Sequence, residues 1–142
     1  MPMVIGQGSE QFEISVREIM PVDSPAAGDR HVDVSVVCRQ FSARNAGAWI
    51  SASEWARFGR ELHALERARR GEALLESQSP ADLRLRLYAS DRAGHIAVEG
   101  HVGAHHAVAD RMREVKLSFA FELDAGLLGG AVRAFEALAI AV

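Results

Sequence analysis

The period of the apolar pattern changes twice along this chain, and that change limits the fold more than any single residue does. Before Trp49, in Phe12–Val16 and Val32–Cys38, and after Gly71, in Leu83–Val102 and Val115–Phe121, apolar and polar residues alternate with a period of two, as in strands that bury one face. Between these blocks lies W-I-S-A-S-E-W-A-R-F-G-R-E-L-H-A-L-E-R-A-R-R-G, Trp49 to Gly71, where the period becomes helical. Trp55, Phe58, Leu62 and Leu65 form one apolar stripe along it. Ser51 followed by Glu54 has capping-box spacing, which lets the hydroxyl oxygen accept an early amide while the carboxylate reaches back. Gly71 is expected to end the helix in the left-handed region, with Arg69 and Arg70 set against the negative end of the helix dipole. The pattern predicts a sheet covered by a helix.

The remaining elements follow from parity and turn chemistry. Residues 1–10 hold two glycines and no periodicity, which predicts a loosely ordered N-terminus. Phe12, Ile14 and Val16 make a first strand, and the Pro21–Arg30 segment makes a loop. Val32, Val34, Val36 and Cys38 make a second strand. Phe41 and Ala43 have the opposite parity, so a bulge near residues 37–40 or cover on both faces is expected. Arg44 to Gly47 reads as a turn and Ala48 to Ile50 as a short third strand. After the helix, residues 73–76 read as a strand. Leu83, Leu85, Leu87 and Ala89 then face Ile96, Val98, Gly100 and Val102 across the turn Asp91-Arg92-Ala93-Gly94. Pairing Ser90 with His95 sets Leu87 opposite Val98, Leu83 opposite Val102, Arg86 opposite Glu99 and Arg84 opposite His101. A slip of one residue sets leucines against glutamate and histidine, which a buried face forbids. Ala104 to Arg113 reads as a loop or helical turn, Val115 to Phe121 as the last strand, and Asp124 as the cap of a second helix through Val132, Phe135 and Leu138.

The order is β-β-(β)-α-β-β-β-β-α. Short turns between alternating strands predict an α+β fold, a single mostly antiparallel sheet of six or seven strands with both helices packed on its apolar face. No repeat or linker divides the 142 residues, so one domain over 1–142 is expected. The net charge of −3 directs no expectation toward nucleic acid or an anionic membrane. Neither a secretory signal nor a long apolar run is visible, and Cys38 is the only cysteine, in phase with buried valines; a cytoplasmic protein is expected. Of 16 basic residues Lys116 is the sole lysine, a bias typical of a GC-rich bacterial genome.

The sequence furnishes no catalytic set. It has no G-x-S-x-G elbow, phosphate loop, paired C-x-x-C or H-E-x-x-H, so an enzyme is not expected. His95, His101, His105 and His106 cluster in sequence, but metal binding needs at least three convergent ligands, and neither a metal nor another cofactor is expected. The alternative is a small-ligand or metal-binding protein using the His95–His106 region. The most distinctive exposed surface is the outward face of the hairpin, Arg84, Arg86, Tyr88, Glu99 and His101, which mixes residue types enriched at interaction hot spots. It is the candidate partner-binding site.

The chain resembles the small bacterial immunity proteins of the WapI type and related bacterial domains of unknown function. The resemblance lies in two early strands, then A-W-I-S-A-S-E-W-A-R-F-G-R-E-L-H-A-L, then D-L-R-L-R-L-Y and G-H-I-A-V-E-G-H-V, then V-K-L-S-F-A-F-E-L-D before a C-terminal helix. It covers about residues 12–138 and rests more on the spacing of apolar residues than on identities. The resemblance implies a cytoplasmic protein that binds and neutralises a protein toxin, with no catalytic residues. A homodimer or a structural homo-oligomer is left open.

Overall fold

The computed structural model describes residues 1–138. Eight strands run in chain order as β1 (Met3–Gln7), β2 (Glu10–Ile19), β3 (Arg30–Cys38), β4 (Phe41–Ile50), β5 (Glu72–Glu76), β6 (Leu83–Ala89), β7 (Ile96–Val108) and β8 (Arg111–Leu123). Helix α1 (Ala52–Ala68) joins β4 to β5, and a 3-10 turn at Ala125–Leu127 leads into α2 (Leu128–Leu138). The strands form two antiparallel sheets of four, in order β1-β2-β3-β4 and β5-β6-β7-β8. The expected single sheet is therefore corrected: α1 marks the boundary between two sheets.

The physical reason is cover. Eight strands at about 4.8 Å spacing make a layer roughly 38 Å wide, while two helices each about 10 Å across cover only about half of it. Two sheets that turn their apolar faces toward each other bury both. Phe12 of β2 stacks on Phe119 of β8, centroids 6.1 Å apart, and Val34, Val36, Leu85 and Val98 share one buried cluster with them. The helices do not spread over one apolar face. Helix α1 packs chiefly against β5 and α2, and α2 packs against β1.

Local chemistry explains the elements. The Ser51 hydroxyl accepts the Glu54 amide at 3.2 Å and caps α1 as its spacing implies. Glu54 does not close the box; its carboxylate takes Arg57 and the Glu76 amide of β5. Helix α1 ends one turn before Gly71, with Arg69 left-handed at φ 55° and its side chain donating to the Glu66 carbonyl. Trp55, Phe58, Leu62 and Leu65 are all buried. Phe135 of α2 seals the helix pair, stacking on Trp55 at 4.5 Å and meeting Phe58 edge-on at 5.1 Å.

The β6–β7 register is the one parity requires: Leu87 opposite Val98, Leu83 opposite Val102, Arg86 opposite Glu99, with the Ser90 amide donating to the His95 carbonyl at 2.8 Å. Three other segments differ from expectation. Residues 3–7 are not a loose terminus; Met3 and Ile5 are buried, and β1 pairs with β2. Residues 44–47 are not a turn. The turn lies at Arg39–Gln40, and β4 runs on through a bulge where Val32 pairs with Ala48 but Val34 with Asn45. Asn45 at that bulge donates to the Gly103 carbonyl at 2.7 Å and ties the sheets together. Residues 104–113 are not a loop; they extend β7 and β8 into a two-stranded arm.

Candidate functional site

Alternation along β6 and β7 places the candidate residues. Leu83, Leu85, Leu87 and Val98 are fully buried, so Arg84, Arg86, Tyr88, Glu99 and His101 must stand on the opposite, outer face of the β5–β8 sheet. There the structure joins three of them, Arg86, Tyr88 and Glu99, with Glu72 of β5 into a polar platform. Arg86 is its centre: Nε donates to Glu72 Oε2 at 2.5 Å, a terminal nitrogen donates to Glu99 Oε1 at 2.9 Å, and the guanidinium lies 4.0 Å from the Tyr88 ring centroid. The two carboxylates raise the Arg86 pKa further above its usual range, Glu72 contributing most. His101 sits apart from this network and donates from Nε2 to the Pro80 carbonyl at 2.8 Å. Arg84 has no side-chain partner among the described residues.

Such half-exposed pairs contribute little to folding, about 0.2–1 kcal/mol each. Their consequence is orientation: the two carboxylates hold the Arg86 guanidinium over the Tyr88 ring. That lowers the ordering cost of an encounter.

The histidines of the alternative site do not converge. His95 faces Asp91 at 2.6 Å, and this hydrogen bond raises the imidazole pKa while lowering that of the carboxyl. His101 is turned to Pro80, and His105 lies 3.3 Å from Ser79 Oγ and 3.7 Å from Asp82. Burial pushes the Asp82 carboxyl up, opposed by His105. His106 lies across from Arg113, on the other face of the arm from His105. Among the described residues no three His, Cys, Asp or Glu side chains are placed to hold an ion.

Two surface features escaped the sequence reading. A groove of about 530 Å³ between α1 and α2 is lined by Trp55, Gly59, His63 and Phe135. The indole Nε1 of Trp55 has no hydrogen-bond partner among the described residues. The second feature is the arm, where Val108, Met112 and Val115 are 49%, 62% and 59% exposed. Its sequence, G-A-H-H-A-V-A-D-R-M-R-E, has small and polar residues at both parities, so no periodicity betrayed it. The arm turns at Ala109–Asp110, between the end of β7 at Val108 and the start of β8 at Arg111.

Comparison with known families is decisive at this point, because the family model named Immunity protein WapI-like family matches residues 3–140, spanning all eight strands and both helices. The chain belongs to the WapI-like immunity protein family. Searches of the curated proteins and of the solved structures gave no match. In this WapI-like protein the matched span takes in the Arg86 platform and the arm alike, including β1, which lies outside the residues that carry the resemblance in the sequence. No helix among the described residues is long and apolar enough to cross a membrane.

Proposed function

We propose that this WapI-like protein is a non-enzymatic immunity protein that binds and neutralises a bacterial protein toxin in the cytoplasm. The observation that carries the reading is the family match over residues 3–140. The proposed contact surface is the outer face of the β5–β8 sheet, Arg84, Arg86, Tyr88, Glu99 and His101. The support for that choice is physical: Arg86 and Tyr88 offer a preoriented, amphipathic platform, and Arg84 beside it has a free guanidinium among the described residues.

The test is co-expression with the product of the neighbouring reading frame, which this reading expects to be a toxin. Host growth is expected to be restored and a stable complex to co-purify. The double substitution Arg84→Glu with Tyr88→Ala is expected to weaken the complex by on the order of 100-fold, since hot-spot truncations cost 2 kcal/mol or more. An unprotected host and separate elution of the two proteins would refute the function. A complex indifferent to both substitutions would refute the surface.

A further inference from the structure

The free edges of the two sheets are not treated alike. Strand β5 is an edge, and its outward backbone is met by α1: the Leu74 amide donates to Glu61 at 3.0 Å, the Glu76 amide donates to Glu54 at 3.0 Å, and Arg57 donates to the Leu74 carbonyl at 3.2 Å. Strand β1 is flanked by α2. On β4, the Trp49 carbonyl accepts the Gln78 amide. On β8, the inner half meets β3, where Cys38 Sγ lies 3.9 Å from the Ala120 carbonyl. The outer half, Arg111 to Lys116, is exposed at every residue.

Parity tells which groups that edge presents. The Ser90–His95 and Asp82–Gly103 hydrogen bonds direct the odd residues of β7 toward β6. The even residues of β7 therefore bond β8, whose register is unbroken, and they meet its odd residues, Ile96 with Leu123 through Val108 with Arg111. The amides and carbonyls of Met112, Glu114 and Lys116 consequently point away from the sheet, as the outward Ala120 carbonyl does. A row of such groups beside exposed Met112 and Val115 is a template for an added strand.

Charge identifies the class of strand. Lys116 is 3.7 Å from Glu114, whereas Arg111 and Arg113 have no partner among the described residues. A second copy of this chain does not neutralise them. Pairing through the outward even residues sets Arg111 and Arg113 opposite odd positions, which in β8 are Arg111, Arg113, Val115, Leu117, Phe119, Phe121 and Leu123, none acidic. We infer that the β7–β8 arm receives an extended acidic segment of the toxin, added as a strand along β8 at residues 112–116, its carboxylates facing Arg111 and Arg113. The inference rests on the proposed immunity function and deepens it.

The experiment uses the full chain with an inactivated form of the toxin that co-expression with the neighbouring gene product identifies. In the complex, hydrogen exchange of the Met112, Glu114 and Lys116 amides is expected to slow by about 10-fold or more, as new backbone hydrogen bonds require. Arg111→Glu with Arg113→Glu is expected to weaken binding by on the order of 100-fold and to flatten its salt dependence. Glu114→Pro removes one outward amide without touching the β7 ladder and is expected to weaken binding about 10-fold or more, while Glu114→Ala, which keeps that amide, binds as the parent does. Hydrogen exchange of β6 amides in each variant checks that the sheet remains folded. A complex that leaves these amides exchanging freely and tolerates the charge reversal overturns the arm and leaves the immunity function standing. A β8-mediated dimer of this chain in sedimentation also overturns it. Failure of any complex to form removes both.

Discussion

The carboxylate of Glu61 serves as a missing strand partner for β5, and removing it is a direct test of how the helix and sheet are joined. The Leu74 amide points away from β6 and donates to Glu61 Oε1 at 3.0 Å in a partly buried setting. A hydrogen bond to a charged acceptor contributes roughly 1.5–3 kcal/mol, and partial exposure lets water recover some of that. Alanine returns a few tenths of a kcal/mol through better helix propensity. Glu61→Ala is therefore expected to cost about 1–2 kcal/mol. Glu61→Gln keeps a neutral acceptor and is expected to cost roughly half as much. Urea unfolding reads the difference as a lower midpoint at unchanged slope, and thermal melting as a fall of about 3–8 °C. Amide exchange at Leu74 is the local readout; it should quicken in Glu61→Ala while the β6–β7 amides keep their protection. A midpoint shift worth under about 0.3 kcal/mol, with Leu74 exchanging as in the parent protein, would refute the edge-capping role.

Gly6 adopts φ 96°, and a Cβ there would stand 2.2 Å from the Glu10 carbonyl oxygen; Gly6→Ala is expected to lower stability by at least about 1–2 kcal/mol, read by urea titration, and a neutral effect would contradict the β1–β2 geometry. The imidazole of His95 is expected to titrate above its ordinary range because of the Asp91 hydrogen bond, and Asp91→Asn to return it toward that range in a histidine NMR titration. Because the folded-state pKa is the raised one, this pair favours the fold below the unfolded imidazole pKa. Its contribution is lost as pH rises through the folded value.

The family match agrees with the resemblance carried by the central helix, the β6–β7 hairpin and the Val115–Asp124 segment, and extends it through β1. The candidate platform was legible because strict alternation along L-R-L-R-L-Y forces Arg84, Arg86 and Tyr88 to one side. Glu72 as a second anchor of Arg86 was not legible, since it depends on β5 pairing with β6.

Period and parity were sufficient for the elements that bury one clear stripe: α1 with Trp55, Phe58, Leu62 and Leu65, its Ser51 cap, and the β6–β7 register down to each opposed pair. These are local or nearest-neighbour matters, and a wrong choice there exposes leucine or buries charge. The number of sheets was decided elsewhere. Nothing in the covalent order tells whether β5 extends the sheet ending in β4 or begins another, because the 17-residue α1 between them carries no pairing information. That choice is settled by the requirement to cover two apolar faces at once. The same global requirement made Glu54 and Glu61 acceptors for a strand edge, and carried the arm of β7 and β8 beyond the core.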